Sequence, residues 1–295
     1  MEFTRLDRCP LCNSDDIKIF KEGTINTETI SAEDFKITDS TYGSIWDFSK
    51  CSSCSFVFSN PRIDEESLIK FYSQIEDKEY TDEWEGREKN FRTIIKRLKK
   101  IDVQGNMLLD IGAASGIFVK LATEKGYNAV GIEPSAQLVN EAKDKFGVEL
   151  IKGTVENFDA REQFDIVTLL DLIEHVNDPE SFLKKVFPLI RKGGVLVIVT
   201  PDINSIAAKL LGNRWWHYRT AHVNFFNLRS VTYLLEKLGF VIEKKHRFAW
   251  NFTFFYLITR IFPSLKKKKA LQKILKRLNL KLQLFDSWEI YARKS

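Results

Sequence analysis

The sequence lacks a long uncharged hydrophobic segment. No uncharged apolar run of the roughly 18 residues that a membrane-spanning helix needs occurs in its 295 residues. The first five residues, Met1-Glu2-Phe3-Thr4-Arg5, also lack the apolar core of a secretory signal peptide. These absences argue against a spanning or secreted protein, and we expect a cytoplasmic one.

Cysteine is absent after residue 54. The four cysteines form two Cys-x-x-Cys pairs, Cys9/Cys12 and Cys51/Cys54. Four thiolates at this spacing suit one tetrahedral ion, so the sequence predicts structural Zn²⁺ in a zinc-ribbon domain over residues 1–62. Free thiols or two disulfides are the alternatives, and a cytoplasmic setting disfavours disulfides. A redox role is less favoured, because neither pair opens a helix of a thioredoxin-like unit.

A net positive charge is missing outside the C-terminal segment. The net charge is +5, but residues 260–295 hold eleven Lys or Arg against Asp286 and Glu289, a net charge of +9. The remaining residues therefore sum to −4. Tandem glycines and aromatic repeats of the kind that read RNA are also missing. We expect no nucleic-acid partner.

The central feature that is present is the stretch Leu108–Gly116. An apolar run and Asp110 lead into a turn of small residues, and apolar residues at helical spacing follow over Ile117–Ala122. This pattern predicts a strand, a tight turn and a helix. Gly112 and Gly116 let the backbone turn sharply and approach a ligand closely.

A second predicted strand, Asn128–Ile132, ends in Glu133, 23 positions after Asp110. An acid at this place can accept hydrogen bonds from a ribose diol, so the two strand ends predict a nucleoside pocket. NAD binding is the competing interpretation, because its fingerprint also couples a glycine turn to a later acid. The turn Gly-Ala-Ala-Ser-Gly lacks the spacing and the middle glycine that place a pyrophosphate on the helix N-terminus, which weakens that interpretation.

The sequence resembles the class I S-adenosylmethionine-dependent methyltransferases in four motifs that follow one another in the expected order. They are Asp110-x-Gly112-x-x-x-Gly116, Glu133 after the second strand, Glu174-His175-Val176 after a strand at 164–170, and Lys192-Gly193-Gly194 before a strand at 195–201. The resemblance covers about 105–245 and a last strand near the C-terminus. It implies an α/β fold with a Rossmann-like seven-stranded sheet in the order 3-2-1-4-5-7-6.

The predicted organisation has three parts. The zinc ribbon covers 1–62, a helical linker that covers the cofactor spans 63–104, and the methyltransferase domain spans 105–295. The linker is charged, with apolar residues such as Leu68, Tyr72 and others at helical intervals. A plain packed helix pair is the alternative for this stretch.

The resemblance also implies a set of residues that bind S-adenosylmethionine. They are Asp110, Gly112, Ala113, Gly116, Glu133, Pro134, Thr154, Val155, Glu156, Leu170 and Asp171. At the adenine corner the family typically has an acid directly after the third-strand glycine, where this sequence has Thr154. Glu156 is then the candidate for the contact to the adenine amine, unless that contact is absent.

Two histidines are the candidate catalytic residues. His175 belongs to the Glu-His-Val motif, and the resemblance places that motif beside the cofactor and the acceptor. His222 lies in the aromatic and polar segment Asn213–Phe226, which in the family crosses the mouth of the active site. The alternatives are that His175 supports the pocket by hydrogen bonding and that His222 caps the following helix at 228–238.

An insertion at about 248–284 separates the last two predicted strands. Its first half is aromatic, and Lys266–Lys269 begin a predicted basic amphipathic helix through Leu284. Such a segment is typical of a peripheral contact with the inner face of the membrane. An apolar helix under a substrate lid, followed by a solvated basic helix, explains the same residues.

The resemblance implies methyl transfer to a small-molecule or glycan acceptor. Zinc-ribbon methyltransferases of this layout resemble enzymes that modify sugars, polysaccharide precursors or small metabolites. The first hypothesis is therefore O-methylation of a sugar, glycan or lipid-linked precursor, and the second is C- or N-methylation of a small metabolite. A hypothesis of another class is a non-catalytic docking or scaffold protein in a biosynthetic complex. The sequence makes no prediction of the oligomeric state.

Overall fold

The computed structural model describes residues 1–36, 43–75, 84–160, 162–261, 264–265, 274–275 and 277–295. Its N-terminal part contains five short strands, a short 3-10 helix at Ala32–Phe35 and two helices. These elements are β1 (Phe3–Thr4), β2 (Ile17–Lys21), β3 (Phe48–Cys51), β4 (Val57–Ser59), β5 (Arg62–Ile63), α1 (Glu65–Ser73) and α2 (Trp84–Leu98). The two helices lie within the predicted helical linker.

Strands and helices mostly alternate after residue 106. The first half comprises β6 (Met107–Ile111), α3 (Ile117–Glu124), β7 (Asn128–Glu133), α4 (Ala136–Phe146), β8 (Ile151–Lys152), β9 (Phe164–Leu170) and α5 (Pro179–Val186). The second half comprises β10 (Ile190–Pro201), α6 (Ile206–Leu211), β11 (Asn224–Phe225), α7 (Leu228–Lys237), β12 (Phe240–Arg247), β13 (Trp250–Thr253), α8 (Phe254–Ile261), β14 (Asn279–Leu282) and β15 (Ser287–Lys294).

The central sheet has seven strands in the order β12-β15-β10-β9-β6-β7-β8. Strand β15 runs antiparallel to both β10 and β12, and the pairs from β10 to β8 are parallel. When only the strands of this sheet are numbered along the chain, from β6 as strand 1 to β15 as strand 7, the order read from β8 is 3-2-1-4-5-7-6. The predicted fold is therefore confirmed. The apolar runs of β9 and β10 are buried because helices cover both faces of a parallel sheet.

Helix starts follow the local sequence signals. The Ser135 hydroxyl accepts a hydrogen bond from the Leu138 amide at the start of α4. The Asp178 carboxylate accepts from the Glu180 and Ser181 amides at the start of α5, whose first residue is Pro179. These caps satisfy amides that have no partner within the helix. They also set where each helix leaves the carboxyl edge of the sheet.

Two predicted boundaries are wrong. The sequence of 148–152 predicts the third strand of the sheet over that range, but the strand covers only Ile151–Lys152, because the Val148 amide donates to the Ala142 carbonyl and Val148 packs beside α4. The sequence after Asp178-Pro179 predicts a helix that reaches Ile190, but α5 ends at Val186 and is followed by a 3-10 turn. Strand β10 already begins at Ile190, with an irregular register before Val195.

The predicted basic helix through Leu284 is also wrong for its C-terminal end, although residues 274–275 are helical. Residues Asn279–Leu282 form β14, which pairs antiparallel with β13. The cause is visible in the sequence, because leucine occupies every second position over 278–284, a period typical of a strand. Lys266–Lys269 lie outside the described residues. In the described ranges, no helix has the length and apolar character to cross a membrane.

A second sheet joins the N-terminal part to the rest of the chain. Its order is β11-β4-β3-β2, so the strand Asn224–Phe225 pairs with Val57–Ser59. The ring of Phe56 also packs against Phe226, with centroids 4.9 Å apart. The cysteine-bearing sheet is therefore continuous with the segment that the sequence places at the mouth of the active site.

Candidate active site

A cavity of about 920 Å³ opens at the carboxyl ends of β6, β7 and β9. Ligand pockets are typically about 300–1,000 Å³, so this one has room for a cofactor and an acceptor. Its wall includes ten residues predicted from the sequence. They are Gly112, Glu133, Pro134, Thr154, Val155, Glu156, Leu170, Asp171, His175 and His222. Asp110, Ala113 and Gly116 lie in the same turn region but do not line the cavity.

The turn after β6 approaches the cavity through residues in left-handed conformation. Gly112 has φ +73°, and a Cβ there would lie 2.9 Å from Leu172 Cδ1. Ala114 has φ 47°, although a residue with a Cβ pays roughly 1–2 kcal/mol for this conformation. Gly116 caps α3, also at positive φ. The turn is therefore strained at Ala114, at the wall of the cavity.

Glu133 closes β7 and fixes this turn. Its two carboxylate oxygens accept hydrogen bonds from the Ala114 and Ser135 amides, each at 2.9 Å. A carboxylate oxygen has a second lone pair, so each of the two oxygens can also accept a hydrogen bond from a hydroxyl group of a ligand. Burial raises the pKa of Glu133 to about 7, although both amide hydrogen bonds oppose the rise.

Asp110 lies beneath the turn within β6. Its Oδ1 accepts a hydrogen bond of 2.6 Å from the Thr168 hydroxyl of β9. Burial, and then the charge of Glu133, raises the pKa of Asp110 to about 7. The structure thus gives this residue a contact that ties two strands together under the turn.

The loop after β8 forms the corner predicted for adenine. The Gly153 amide donates to the Glu133 carbonyl at 3.0 Å, which joins this loop to the end of β7. The Thr154 amide donates to Asn157 Oδ1 at 2.9 Å. The Glu156 carboxylate lines the cavity but also pairs with Lys185 at 3.1 Å. Any contact of Glu156 with a ligand therefore competes with this ion pair.

Asp171 follows β9 in left-handed conformation, with φ 53°. Its amide donates to the Val199 carbonyl, and its buried Oδ1 has no hydrogen-bond partner among the described residues. Burial raises the pKa of Asp171 to about 7, whereas the nearby guanidinium groups of Arg87 and Arg219 lower it. An acid with an unused oxygen and two cationic neighbours therefore lines the cavity.

His175 is fixed by the Ala221 carbonyl. Its Nδ1 lies 2.9 Å from that oxygen, which can only accept, so Nδ1 carries the hydrogen and Nε2 keeps a lone pair. The Tyr72 hydroxyl donates to the same carbonyl at 2.6 Å and lies 2.9 Å from Nδ1. His175 is thus hydrogen-bonded to the backbone of the segment that also carries His222.

His222 packs edge-on against His175, with ring centroids 4.6 Å apart. Its Nδ1 is buried and has no hydrogen-bond partner in the described part of the chain. Helix α7 is capped by Asn227, whose side chain accepts from the Ser230 amide, so the alternative that His222 caps this helix is wrong. Burial lowers the pKa of His175 to about 3 and that of His222 well below its ordinary value, so both rings are neutral.

Glu174 completes a cluster with the two histidines. Its Oε2 accepts from the Thr200 hydroxyl at 3.0 Å, and burial raises its pKa well above the ordinary range. One donor atom from each of Glu174, His175 and His222 lies within 4.8 Å of the others. Two imidazoles and a carboxyl group form a donor set suited to a divalent transition metal or to hydrogen bonding with a polar ligand.

The far end of the cavity is aromatic. The rings of Phe252 and Tyr256 are stacked at 5.4 Å and 7°, and Trp250 lies 6.3 Å from Phe252 at 24°. The insertion thus forms a wall of the cavity. It is attached to α2 through Asn90, whose Oδ1 accepts from the Asn251 amide at 2.7 Å.

Comparison with known proteins identifies the family. The family profile described as "Methyltransferase domain" matches residues 84–245, which is more than half of the chain. The chain belongs to this methyltransferase family. Its relatives include the ubiquinone biosynthesis O-methyltransferase of Rhodopseudomonas palustris strain BisB5, 32% identical over 161 residues. That match covers 50% of this chain and 64% of the relative, so the chain spans less than two thirds of the relative's length.

Two further similarities complete the comparison. The enzyme of the same name from Bradyrhizobium sp. strain ORS 278 is 32% identical over 130 residues, 41% of this chain and 51% of the relative. A crystal structure of magnesium protoporphyrin IX methyltransferase from Synechocystis PCC 6803 with bound SAH has a TM-score of 0.53 and 11% identity. It covers 79% of this chain and 100% of that one, and it shows a shared fold.

Sequence reasoning missed several wall residues of this family member. Arg87 and Asn90 lie on α2, and Trp250, Phe252 and Tyr256 lie on the insertion. The aromatic density of 248–262 was a signal for the insertion. Arg87 carries no comparable signal, because it lies in a helix rich in charged residues whose partners are distant in sequence.

The four cysteines of this family member meet at the end of β3, whose last residue is Cys51. Their Sγ atoms lie within 4.8 Å of one another, with Cys9 and Cys54 3.6 Å apart and Cys12 and Cys51 3.5 Å apart. Four thiolates about 2.3 Å from a tetrahedral Zn²⁺ would lie about 3.8 Å apart, so the cluster fits the ion. The cysteines are not joined as disulfides.

Proposed function

We propose that this protein transfers a methyl group from S-adenosylmethionine to a hydroxyl group of an acceptor. The observation that carries the proposal is Glu133, whose anchored carboxylate faces the cavity beside the glycine turn. Family membership, the O-methyltransferase names of the relatives and a neighbour of the same fold with bound SAH support it.

The cavity accommodates the cofactor in an extended pose. Glu133 would accept the ribose hydroxyls, and the turn at Gly112 would face the methionine end. Thr154, Val155 and Glu156 would border the adenine, with Pro134 beside it. Leu170 and Asp171 would lie near the sulfonium, whose positive charge favours a neighbouring carboxylate or aromatic face.

Methyl transfer is an in-line displacement. The acceptor oxygen bonds to the methyl carbon, the carbon–sulfur bond breaks, and the hydroxyl proton leaves to a base or to water. Because the sulfonium already activates the carbon, positioning contributes most of the catalysis. The neutral rings of His175 and His222 can accept a hydrogen bond from the acceptor. Their low pKa values favour orientation of the hydroxyl over full proton transfer.

The aromatic wall supports an acceptor with a flat or apolar body. Stacked rings such as Phe252 and Tyr256 pack well against such a surface. The relatives are named for ubiquinone biosynthesis, and neither of the two reported is named for a sugar or glycan. A sugar, glycan or lipid-linked acceptor therefore stays a prediction, as does C- or N-methylation of a small metabolite.

Isothermal titration calorimetry with S-adenosylmethionine tests the proposal. Binding in the micromolar range supports the enzyme. Absence of detectable heat at several temperatures would contradict it and favour the docking or scaffold hypothesis, for which the strained Ala114 and the substitution at Thr154 leave room. A screen of metabolites and glycans with labelled cofactor then identifies the acceptor.

We also propose that Cys9, Cys12, Cys51 and Cys54 hold a structural Zn²⁺ in an N-terminal domain over residues 1–62. The helical linker 63–104, which covers the cofactor, would join this domain to the catalytic domain over residues 105–295. The ion would join the loop that holds Cys9 and Cys12 to the loop that holds Cys51 and Cys54. Metal analysis should find one zinc per chain, and Cys9→Ser should release it. Ser53→Ala, a change of a neighbouring exposed hydroxyl, should retain it.

We also propose that the protein is cytoplasmic and contacts the membrane peripherally through residues 248–284. In the described part of this segment, Phe254, Leu278 and Leu280 are 41–55% exposed. Exposed apolar side chains next to a lysine-rich sequence favour an anionic lipid surface. Co-sedimentation with anionic liposomes should occur and should fail when Lys266–Lys269 are replaced by alanine. Binding that survives this change would contradict the proposal.

A further inference from the structure

The segment at 221–227 contains β11, the edge strand of the cysteine-bearing sheet, and it also contacts the loop that follows β9. Val223 bonds to both. Its carbonyl accepts a hydrogen bond of 2.8 Å from the Ser59 amide, and its own amide donates to the Glu174 carbonyl at 3.1 Å. Asn224 repeats the arrangement, because its Nδ2 donates to the Val176 carbonyl at 2.5 Å while its Oδ1 accepts from Arg62.

The loop Cys51–Cys54, here called the second cysteine knuckle, is hydrogen-bonded directly to the end of this segment. Asn227 Nδ2 donates to the Ser55 carbonyl at 2.7 Å, and Arg229 donates to the Ser53 carbonyl at 2.6 Å. Ser53 and Ser55 flank Cys54, so these two carbonyls move with the metal-binding loop. The position of the knuckle therefore sets the start of α7 and the residues just before it.

The same segment positions the two histidines. His222 belongs to it, and the Ala221 carbonyl fixes the Nδ1 side of His175. The cofactor side is built differently, because Glu133 is held by the amides of Ala114 and Ser135 in the catalytic part of the chain. Displacement of the knuckle would thus disturb one end of the cavity and leave the other in place.

We propose that the metal bound by the cysteine cluster positions the acceptor end of the cavity. With the ion bound, the sheet β2-β3-β4-β11 holds 221–227 and hence His175 and His222. Without it, this segment loses its support while the cofactor end keeps its shape. The inference rests on the proposed function and on the proposed zinc, since metal binding at such a site supplies folding free energy to the elements around it.

The test compares the purified full chain before and after zinc removal by a chelator, and again after zinc is restored. Long-range proton–nitrogen NMR spectra of the histidine rings report the tautomer and environment of all four histidines. We expect zinc removal to shift or broaden the signals of His175 and His222 and zinc addition to restore them. His246, on β12, serves as the internal reference and should not change. The Kd for S-adenosylmethionine should change less than about twofold, the scatter expected between sites that share no contacts.

A second variant tests the coupling with the cysteines intact. Asn227→Asp keeps an oxygen to cap α7 but removes the donor to Ser55. We expect it to retain zinc and to shift the His222 signals. Asn106→Asp is the matched control, because Asn106 also donates to a carbonyl, that of Gly126, at the opposite end of the sheet.

The outcomes separate the inference from its premises. Unchanged His175 and His222 signals after zinc removal would overturn the inference, and so would an Asn227→Asp protein with unchanged rings. If zinc removal unfolds the whole chain, the spectra of the Asn227→Asp variant, which keeps its zinc, test the inference instead. Lack of S-adenosylmethionine binding by the zinc-loaded wild type would instead refute the proposed function. Lack of zinc in the purified protein would refute the metal site.

Discussion

The Ala114 amide donates a hydrogen bond of 2.9 Å to the carboxylate of Glu133. This contact joins the turn after the first strand of the sheet to the end of the second. The carboxylate that would hold the ribose is therefore the same group that sets the position of the turn beside it. A change at either residue affects both the cofactor and the local backbone.

Replacement Glu133→Gln should weaken S-adenosylmethionine binding. The amide group would lose one of the two main-chain hydrogen bonds and the charge-assisted contacts to the ribose. Loss of about 1.5–3 kcal/mol corresponds to a rise in Kd of roughly 10- to 150-fold. Calorimetry measures this, with Glu149→Gln as the control, because Glu149 is exposed and pairs only loosely with Lys143 at 3.7 Å. Equal affinity of the two variants for S-adenosylmethionine would show that Glu133 does not bind the cofactor.

Replacement Ala114→Gly should change stability much less than the same replacement at the neighbouring Ala113. Alanine at φ 47° costs roughly 1–2 kcal/mol, which glycine would relieve. Against this, glycine loses the buried Ala114 methyl group, about 0.8 kcal/mol, and has extra freedom in the unfolded chain, about 0.4–1 kcal/mol. We therefore expect the free energy of unfolding, measured by urea denaturation, to change by less than about 1 kcal/mol. Ala113→Gly is the control, because Ala113 is also buried but is not at positive φ, so this change should destabilise by about 1–2 kcal/mol. An equal loss in both variants would show that the turn is not strained.

Stability should depend on pH through Asp171. Burial raises its pKa from 3.8 to about 7, so between these values the folded protein binds a proton that the unfolded chain releases. Its contribution is therefore full at low pH and is lost as pH rises through about 7, by at most about 4 kcal/mol. The buried histidines act in the opposite direction, but equally in wild type and variant.

Urea denaturation at pH 5 and pH 8 checks this dependence. Wild type should lose more stability between the two pH values than Asp171→Asn, in which the unpartnered oxygen is kept but the group no longer titrates. Asp144→Asn, at an exposed position of α4, should behave like wild type. Identical pH profiles for wild type and Asp171→Asn would contradict the raised pKa.

The sequence predicts the parts of this molecule whose signals are local. The turn at Gly112, the acid at Glu133 and the buried strand at 164–170 each depend on a few adjacent residues, and the structure has them in place. Contacts between distant residues had no such signal. The pairing of Asn224 with Phe58, for example, joins positions that no periodicity relates.

The insertion shows how two patterns compete for the same residues. Lysines at helical spacing over 266–281 favour a helix, whereas leucine at 278, 280, 282 and 284 alternates as in a strand. The strand forms because β13 offers an unpaired edge, and the main-chain hydrogen bonds of a pair outweigh the weak propensity of a short exposed helix. That edge exists only in the folded chain.

Replacement Asn90→Ala should loosen the attachment of the insertion to α2. The buried Asn90 side chain accepts from the Asn251 amide and from the Asn251 side chain, at 2.7 and 2.8 Å. Without it, the half-buried amide of Asn251 lacks this partner, which costs about 1–3 kcal/mol. Alanine is the better helix former by about 0.5 kcal/mol, so a net loss of about 1–2 kcal/mol is expected.

Hydrogen exchange is the measurement that separates this effect from general destabilisation. Amides at Trp250–Thr253 should lose protection in Asn90→Ala, while those of β6 and β7 keep it and the Kd for S-adenosylmethionine stays within about twofold of wild type. Asn106→Ala, an exposed asparagine before β6, should leave 250–253 protected. If protection at 250–253 survives in Asn90→Ala, the insertion is held by its aromatic packing, because the stacked rings of Phe252 and Tyr256 would then be sufficient to keep the acceptor wall in place.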